Sequence, residues 1–266
     1  IKGPKGSIVK LQVVKGSSET SVPVVVTLTR DKIKLEDRAA NSEVYIPKDG
    51  PNKDQKLGVI SIPSFYNNLH KDVEKEIDSL NEQGVRGISV DLRGNGGGSL
   101  TESTLLSGLF IDKGPVVQIR DGAGRIRLEE DADGKVFYDG PLTVLVDRYS
   151  ASASEIFAAA MQDYNRALIL GEQTFGKGTV QQHRPLGRIY DLYENPLGSV
   201  QFTIAKFYRI NGGSTQHKGV IPDILFPSVI DHADWGESQQ ENALPWDSIA
   251  RANYTTFSEN KNVVKG

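Results

Sequence analysis

The segment Gly87-Ile88-Ser89-Val90-Asp91-Leu92-Arg93-Gly94-Asn95-Gly96-Gly97-Gly98-Ser99 decides the fold class. Residues 87–92 read as a strand, 93–98 as a glycine loop, and 100–111 as a helix. The same alternation continues on both sides. Upstream, residues 59–62 form a short apolar strand, and 68–83 carry Leu69, Val73, Ile77 and Leu80 at helical spacing. Downstream, 116–119 and 136–138 are strand-like around a turn at 131–134. Residues 143–146 then read as a buried strand, 151–164 as a helix and 168–170 as a strand. Strands alternating with helices argue an α/β fold with a mostly parallel, covered sheet. Further on, the strand pattern returns at 200–207 and 219–225.

The flanks differ in character. Val9, Leu11 and Val13 alternate with polar residues, Lys15-Gly16-Ser17-Ser18 reads as a turn, and residues 24–28 return as a second strand. The chain therefore opens on a β-hairpin, which is marginal alone. Residues 37–57 are polar, with Pro47, Gly50 and Pro51, and read as a linker or surface loop. Residues 231–266 are acidic at first and poor in pattern, either an extension packed on the body or a mobile tail. The 266 residues carry a net charge of −3, so no global basic field recruits nucleic acid. Cysteine is absent, which removes disulfides, thiol catalysis and cysteine metal sites. No apolar run is long enough to span a membrane.

Three segments carry candidate chemistry. The glycine loop lets backbone N–H groups approach a phosphate or a developing oxyanion, and it is equally a tight β–α turn. Gly171-Glu172-Gln173-Thr174-Phe175-Gly176-Lys177-Gly178-Thr179 matches the phosphate loop G-x-x-x-x-G-K up to its last position. There Gly178 stands where Ser or Thr should hold Mg²⁺, and residues 179–182 alternate like a strand instead of opening a helix. Asp147-Arg148-Tyr149-Ser150-Ala151-Ser152-Ala153-Ser154-Glu155 joins a buried strand to a helix. Its serines suit helix caps, with Ser152 and Glu155 at capping-box spacing. A serine there also has its Oγ near free backbone N–H groups that stabilise an acyl-transfer oxyanion.

What would activate such a serine is a separate question. His70, His183, His217 and His232 fall in no recognisable triad or zinc motif, and G-x-S-x-G is absent. Lys177 remains. As a base it must be neutral near pH 7–8, which desolvation supplies, and the flanking Gly176 and Gly178 fit a lysine threaded into a buried site. Asp163, eleven residues after Ser152, lies about 16 Å further along a continuous helix and reads as structural.

Ser150-Ala151-Ser152-Ala153-Ser154-Glu155, then Phe175-Gly176-Lys177-Gly178-Thr179-Val180-Gln181, with Asp91-Leu92-Arg93-x-Asn95-x-Gly97-Gly98 upstream, resembles the C-terminal processing peptidases. Asn242-Ala243-Leu244-Pro245-Trp246-Asp247 points to their bacterial tail-specific branch. The resemblance implies a serine endopeptidase with Ser152 as nucleophile, Lys177 as general base and Gln181 orienting the lysine. Gly98 and Ala153 would supply the oxyanion-hole N–H groups, with Gly97, Glu155 and Thr174 in support. It implies an αβα core similar to crotonases and Clp-type proteases at residues 32–230. Residues 1–31 would be the end of a PDZ domain, and 231–266 an acidic extension. It also implies protein or peptide substrates with apolar C-termini, no cofactor or metal, a membrane-associated or adaptor partner, and a periplasmic setting. The alternative is a nucleotide-binding ATPase built on residues 171–177.

Overall fold

The structure is a computed structural model describing residues 3–14, 22–31, 39–187, 197–228 and 234–257. The chain divides into two compact units, Ile1–Arg38 and Ala39–Gly266. The first holds an antiparallel hairpin of β1 (Ile8–Val13) and β2 (Val24–Thr29), with Ile8 opposite Thr29 and Val13 opposite Val24. The turn read at 15–18 and His232 lie outside the described residues.

The second unit is built on two sheets. Its elements begin with β3 (Asn41–Tyr45), β4 (Leu57–Ser61), α1 (Leu69–Glu82), β5 (Ile88–Asp91), α2 (Leu100–Gly108) and β6 (Gly114–Asp121). They continue through β7 (Ile126–Asp131), β8 (Leu142–Val146), α3 (Ala153–Asp163) and β9 (Leu168–Gly171) to β10 (Thr179–Pro185), β11 (Ser199–Tyr208) and β12 (Ile224–Leu225). One sheet runs β12-β9-β8-β5-β4-β3, parallel except for β3, and the other runs β10-β11-β6-β7, antiparallel throughout.

In the parallel sheet each strand lies beside its predecessor. Right-handed crossovers then put the connecting helices on one face. Burial agrees: Ile60, Val90, Val144 and Ile169 are buried, while Val59, Ser89, Leu145 and Leu170 on the other face are only half-buried. A Cβ on Gly58 would lie 2.7 Å from Leu80 Cδ1, which places α1 on the buried face. Helix α3 packs on β9 and on β6, and α2 packs on β6 and β7, so helices lie between the two sheets. The resemblance implies helices on both faces of the parallel sheet, and the described residues supply them on one.

Helix α1 buries Leu69, Val73, Ile77 and Leu80, the four residues its spacing singles out. Elsewhere the pattern misleads. The loop expected at 37–57 contains β3, a polar edge strand whose side chains alternate between exposed and half-buried. Residues 136–138 form no strand, because the Phe137 and Tyr138 N–H groups both donate to the Leu109 carbonyl. The strand is β7, whose sequence IRLEED has the polarity of an exposed edge. The expected strand 219–225 shrinks to β12, and α2 stops at Gly108 rather than residue 111. Residues 234–257 follow the body: the Phe257 N–H donates to Tyr164 O at 2.8 Å, and the Tyr164 and Tyr254 rings meet at 5.2 Å.

Candidate active site

The turn from β8 into α3 is built by local polar bonds. Asp147 Oδ1 accepts the N–H groups of Tyr149 and Ser150 at 3.0 Å each, and Ser150 Oγ donates to Leu92 O at 2.9 Å. The Asn95 carbonyl accepts the Ala151 N–H and the Ser154 hydroxyl. Between these anchors Ser152 is held at φ 58°, ψ −112°, a conformation that L-residues avoid. The G-x-S-x-G pattern is absent, yet the geometry is the same kind: a strand, a strained serine, a helix. Room for the turn comes from the neighbouring glycine loop. A Cβ at Gly97, whose φ is +101°, would stand 2.7 Å from Ala151 O and 2.8 Å from Ser152 Cβ.

Two N–H groups are left over at this turn. Phe65 and Gly98 form a parallel bridge in which Phe65 N–H donates to Gly97 O and Ser99 N–H donates to Phe65 O. Both bonds are made by neighbours of Gly98, so its own N–H points away from Phe65. Ala153 is the first residue of α3, whose N–H has no helical acceptor. Among the described residues neither N–H has a hydrogen-bond partner.

Glu155, fully buried in α3, ties the serine turn to the lysine loop. Its Oε2 accepts Ser152 N–H at 2.8 Å and Lys177 N–H at 2.9 Å, and its Oε1 accepts Gly176 N–H at 2.7 Å and the Thr174 hydroxyl at 2.6 Å. Thr174 Oγ1 in turn accepts Val220 N–H. Burial pushes the Glu155 carboxyl up to about 7, against the pull of these bonds. All four partners are donors, so they suit the ionised form.

Lys177 is half-buried, and its Nζ donates to Thr179 O at 3.0 Å. Desolvation lowers its pKa, opposed by the charges of Glu237 and Glu155. A cavity of about 350 Å³ brings Gly98, Ser152, Ala153, Lys177 and Gln181 together on apolar walls from Leu100, Ile156 and Phe207. A larger cavity of about 670 Å³, beside Tyr164 and Tyr254, holds none of them. No hydrogen bond joins Ser152 Oγ to Lys177 Nζ, a looseness common before substrate binds. Gln181 faces the cavity, but its Oε1 accepts from Gln201 Nε2, and Thr179 O holds the lysine. The placement is not simple strand alternation from Lys177: β10 begins at Thr179, and its pairing with β11 shifts register between Val180 and Gln181.

The phosphate-loop alternative meets two obstacles. Lys177 leads into a strand, and the Gly176 and Lys177 amides that a phosphate needs are committed to Glu155. None of the described histidines lines the cavity, and among the described residues no group of three His, Asp or Glu is placed to hold a metal.

Asp163 sits at the far end of α3. Its side chain is 5% exposed, Arg209 donates to both its oxygens at 2.6 and 3.1 Å, and Asn211 Nδ2 donates at 2.8 Å. Asp163→Ala is expected to destabilise by about 3 kcal/mol in denaturant unfolding, toward the low end for breaking such a pair. Asp163→Asn, where folded, should keep near-parental reactivity at Ser152.

Asn95 enters the sequence reading as part of the motif around Asp91 and Gly98, without a role. It is fully buried, with Nδ2 donating to Ile62 O and Oδ1 accepting Gly97 N–H, so it shapes the glycine loop and anchors the serine turn. Apart from that motif, its signal in the sequence is an amide side chain between glycines.

The site is thus a strained serine, a desolvated lysine and two unpaired N–H groups on a mixed α/β frame. The family model "Peptidase family S41" matches residues 56–226, and the chain belongs to that family. Residues 230–266 match the model "C-terminal domain of tail specific protease". The chain is 54% identical to the tail-specific protease of Haemophilus influenzae, over 96% of its own length and 36% of that protein. It is 34% identical to the carboxyl-terminal-processing protease of Synechocystis, over 88% of this chain and 52% of that one. Among solved structures it is similar to the photosystem II D1 C-terminal processing protease, with a TM-score of 0.62 and 31% identity, covering 86% of this chain and 58% of that one. The chain spans about a third to a half of the length of these curated relatives.

Proposed function

We propose that the chain is the catalytic portion of a serine endopeptidase that uses a Ser152–Lys177 dyad on proteins recognised by apolar C-termini. The observation that carries this reading is the single cavity holding Ser152, Lys177, Gly98 and Ala153. Neutral Lys177 takes the Ser152 proton as Oγ attacks the scissile carbonyl. The Gly98 and Ala153 N–H groups receive the oxyanion. The lysine ammonium then protonates the leaving amine, and water, activated by the same lysine, releases the acyl group. Gln181 Oε1 has a second lone pair for that ammonium once substrate draws it from Thr179 O. The hairpin β1–β2 reads as the end of a PDZ domain, the core as related to crotonases and Clp-type proteases, and the compartment as periplasmic. Among the described residues no helix is long and apolar enough to cross a membrane.

Mass spectrometry of a peptide with an apolar C-terminus tests the reading. Internal cleavage by the parent chain and none by Ser152→Ala or Lys177→Ala is expected. Products persisting in either variant would overturn it.

A further inference from the structure

Residues 235–237 lie outside the stretch that matches the peptidase family model, yet they touch both halves of the candidate site. On the serine side, Trp235 and Arg148 exchange two bonds: Trp235 Nε1 donates to Arg148 O at 3.2 Å, and an Arg148 Nη donates to Trp235 O at 2.8 Å. The other Arg148 Nη donates to Gln173 O at 3.1 Å, and Arg148 as a residue is only 2% exposed. The Tyr149 ring meets the Trp235 ring edge-on at 5.3 Å. Arg148 and Tyr149 stand four and three residues before Ser152.

On the lysine side, the Phe175 and Trp235 rings meet at 6.2 Å, and Glu237 N–H donates to Phe175 O at 3.0 Å. Phe175 N–H itself donates to Ser150 O. Glu237 Oε1 accepts from Gln216 Nε2 at 3.2 Å, and Gln216 Oε1 accepts Gly178 N–H at 2.8 Å. Gln216 is fully buried, so this relay fixes the residue next to Lys177. Glu155 joins the two segments from α3, and residues 235–237 join them from a separate, later part of the chain.

We propose that residues 235–237 form a strap that holds the Ser152 turn and the Lys177 loop in register, with Trp235 and Glu237 as positioning residues for the dyad. The proposal rests on the Ser–Lys reading. Two consequences separate it from a merely structural role. Loss of the Trp235 ring lets the two segments drift, and displacements of about 1 Å cost on the order of 10²-fold in rate. Glu237 is also the charge that most opposes the lowering of the lysine's pKa by burial, with Glu155 of α3 the other. Replacing its carboxylate by an amide keeps the acceptor for Gln216 and removes the charge.

The test is the rate at which a fluorophosphonate labels Ser152, measured across pH. Labelling of the parent that is lost in Ser152→Ala and Lys177→Ala upholds the underlying reading, and labelling that survives either change overturns it. Given that baseline, Trp235→Ala should label about 10²-fold more slowly, and Trp235→Phe, which keeps a ring between Tyr149 and Phe175, should recover most of the loss. Glu237→Gln should move the acid limb of the pH profile to lower pH. Should Trp235→Ala fail to fold, Glu237→Ala, which takes the acceptor away from Gln216 Nε2, should show the same slowing. A folded Trp235→Ala or Glu237→Ala labelling at the parental rate would overturn the strap and leave the dyad standing, and an unmoved limb in Glu237→Gln would overturn the charge role of Glu237.

Discussion

Lys177→Arg is expected to abolish hydrolysis as completely as Lys177→Ala, by about 10⁴-fold or more, the scale on which removing one member of a catalytic set acts. Arginine keeps the positive charge and most of the reach, but its guanidinium does not deprotonate in the working range. The comparison therefore isolates the proton from the charge. Desolvation lowers the lysine's pKa below its ordinary 10.5. The neutral form, the one proposed to act as base, thus gains as pH rises, and the rate should climb through that lowered pKa. The sign for stability is the same. Between the lowered pKa and 10.5 the unfolded chain binds a proton that the folded chain does not, so Lys177 makes stability rise with pH there. Peptide hydrolysis against pH checks the first statement, and appreciable turnover by Lys177→Arg contradicts it.

Gly97→Ala should cost about 10²–10³ in rate, comparable to losing an oxyanion donor, although Gly97 does not line the cavity. Its methyl group has no space: beyond the Ala151 carbonyl and Ser152 Cβ it would stand 3.0 Å from Ala153 N, the proposed donor itself. The φ of +101° adds strain for any side chain. Gly98→Ala, at φ +147°, drives its methyl still closer, into the Phe65 carbonyl, so it should lower stability more than Gly97→Ala as well as lowering the rate. Circular dichroism with peptide hydrolysis separates the two variants. A folded Gly97→Ala variant at parental rate would contradict this account of the turn.

The helices and parallel strands were readable because apolar spacing reports burial directly. The four buried residues of α1 stand at i, i+4, i+8 and i+11, and no other period fits them. Two edge strands escaped the same reading. β3 and β7 each pair on one side only and tolerate polar side chains, so Asn41–Tyr45 passed for loop and Ile126–Asp131 for no element. The residues proposed for the chemistry stood out because each is an anomaly where it lies: serines crowding a helix start, a lysine between glycines. The parts that hold them in place were hidden, since their partners are distant in sequence. Asn95 contacts Ile62 and Ser154, and Gln216 contacts Gly178 and Glu237. The strain at Ser152 was hidden too, because no flanking glycine announces it and the space is lent by Gly97.

That strain narrows what position 152 can become. Threonine offers the same hydroxyl with one more methyl group, and chemistry alone would let the two exchange. At φ 58° a β-branched side chain is a true outlier, because its second γ-atom crowds the backbone. The main chain, not the reaction, thus bars the nearest chemical substitute, and any descendant of this turn that carries threonine must first have relaxed its backbone.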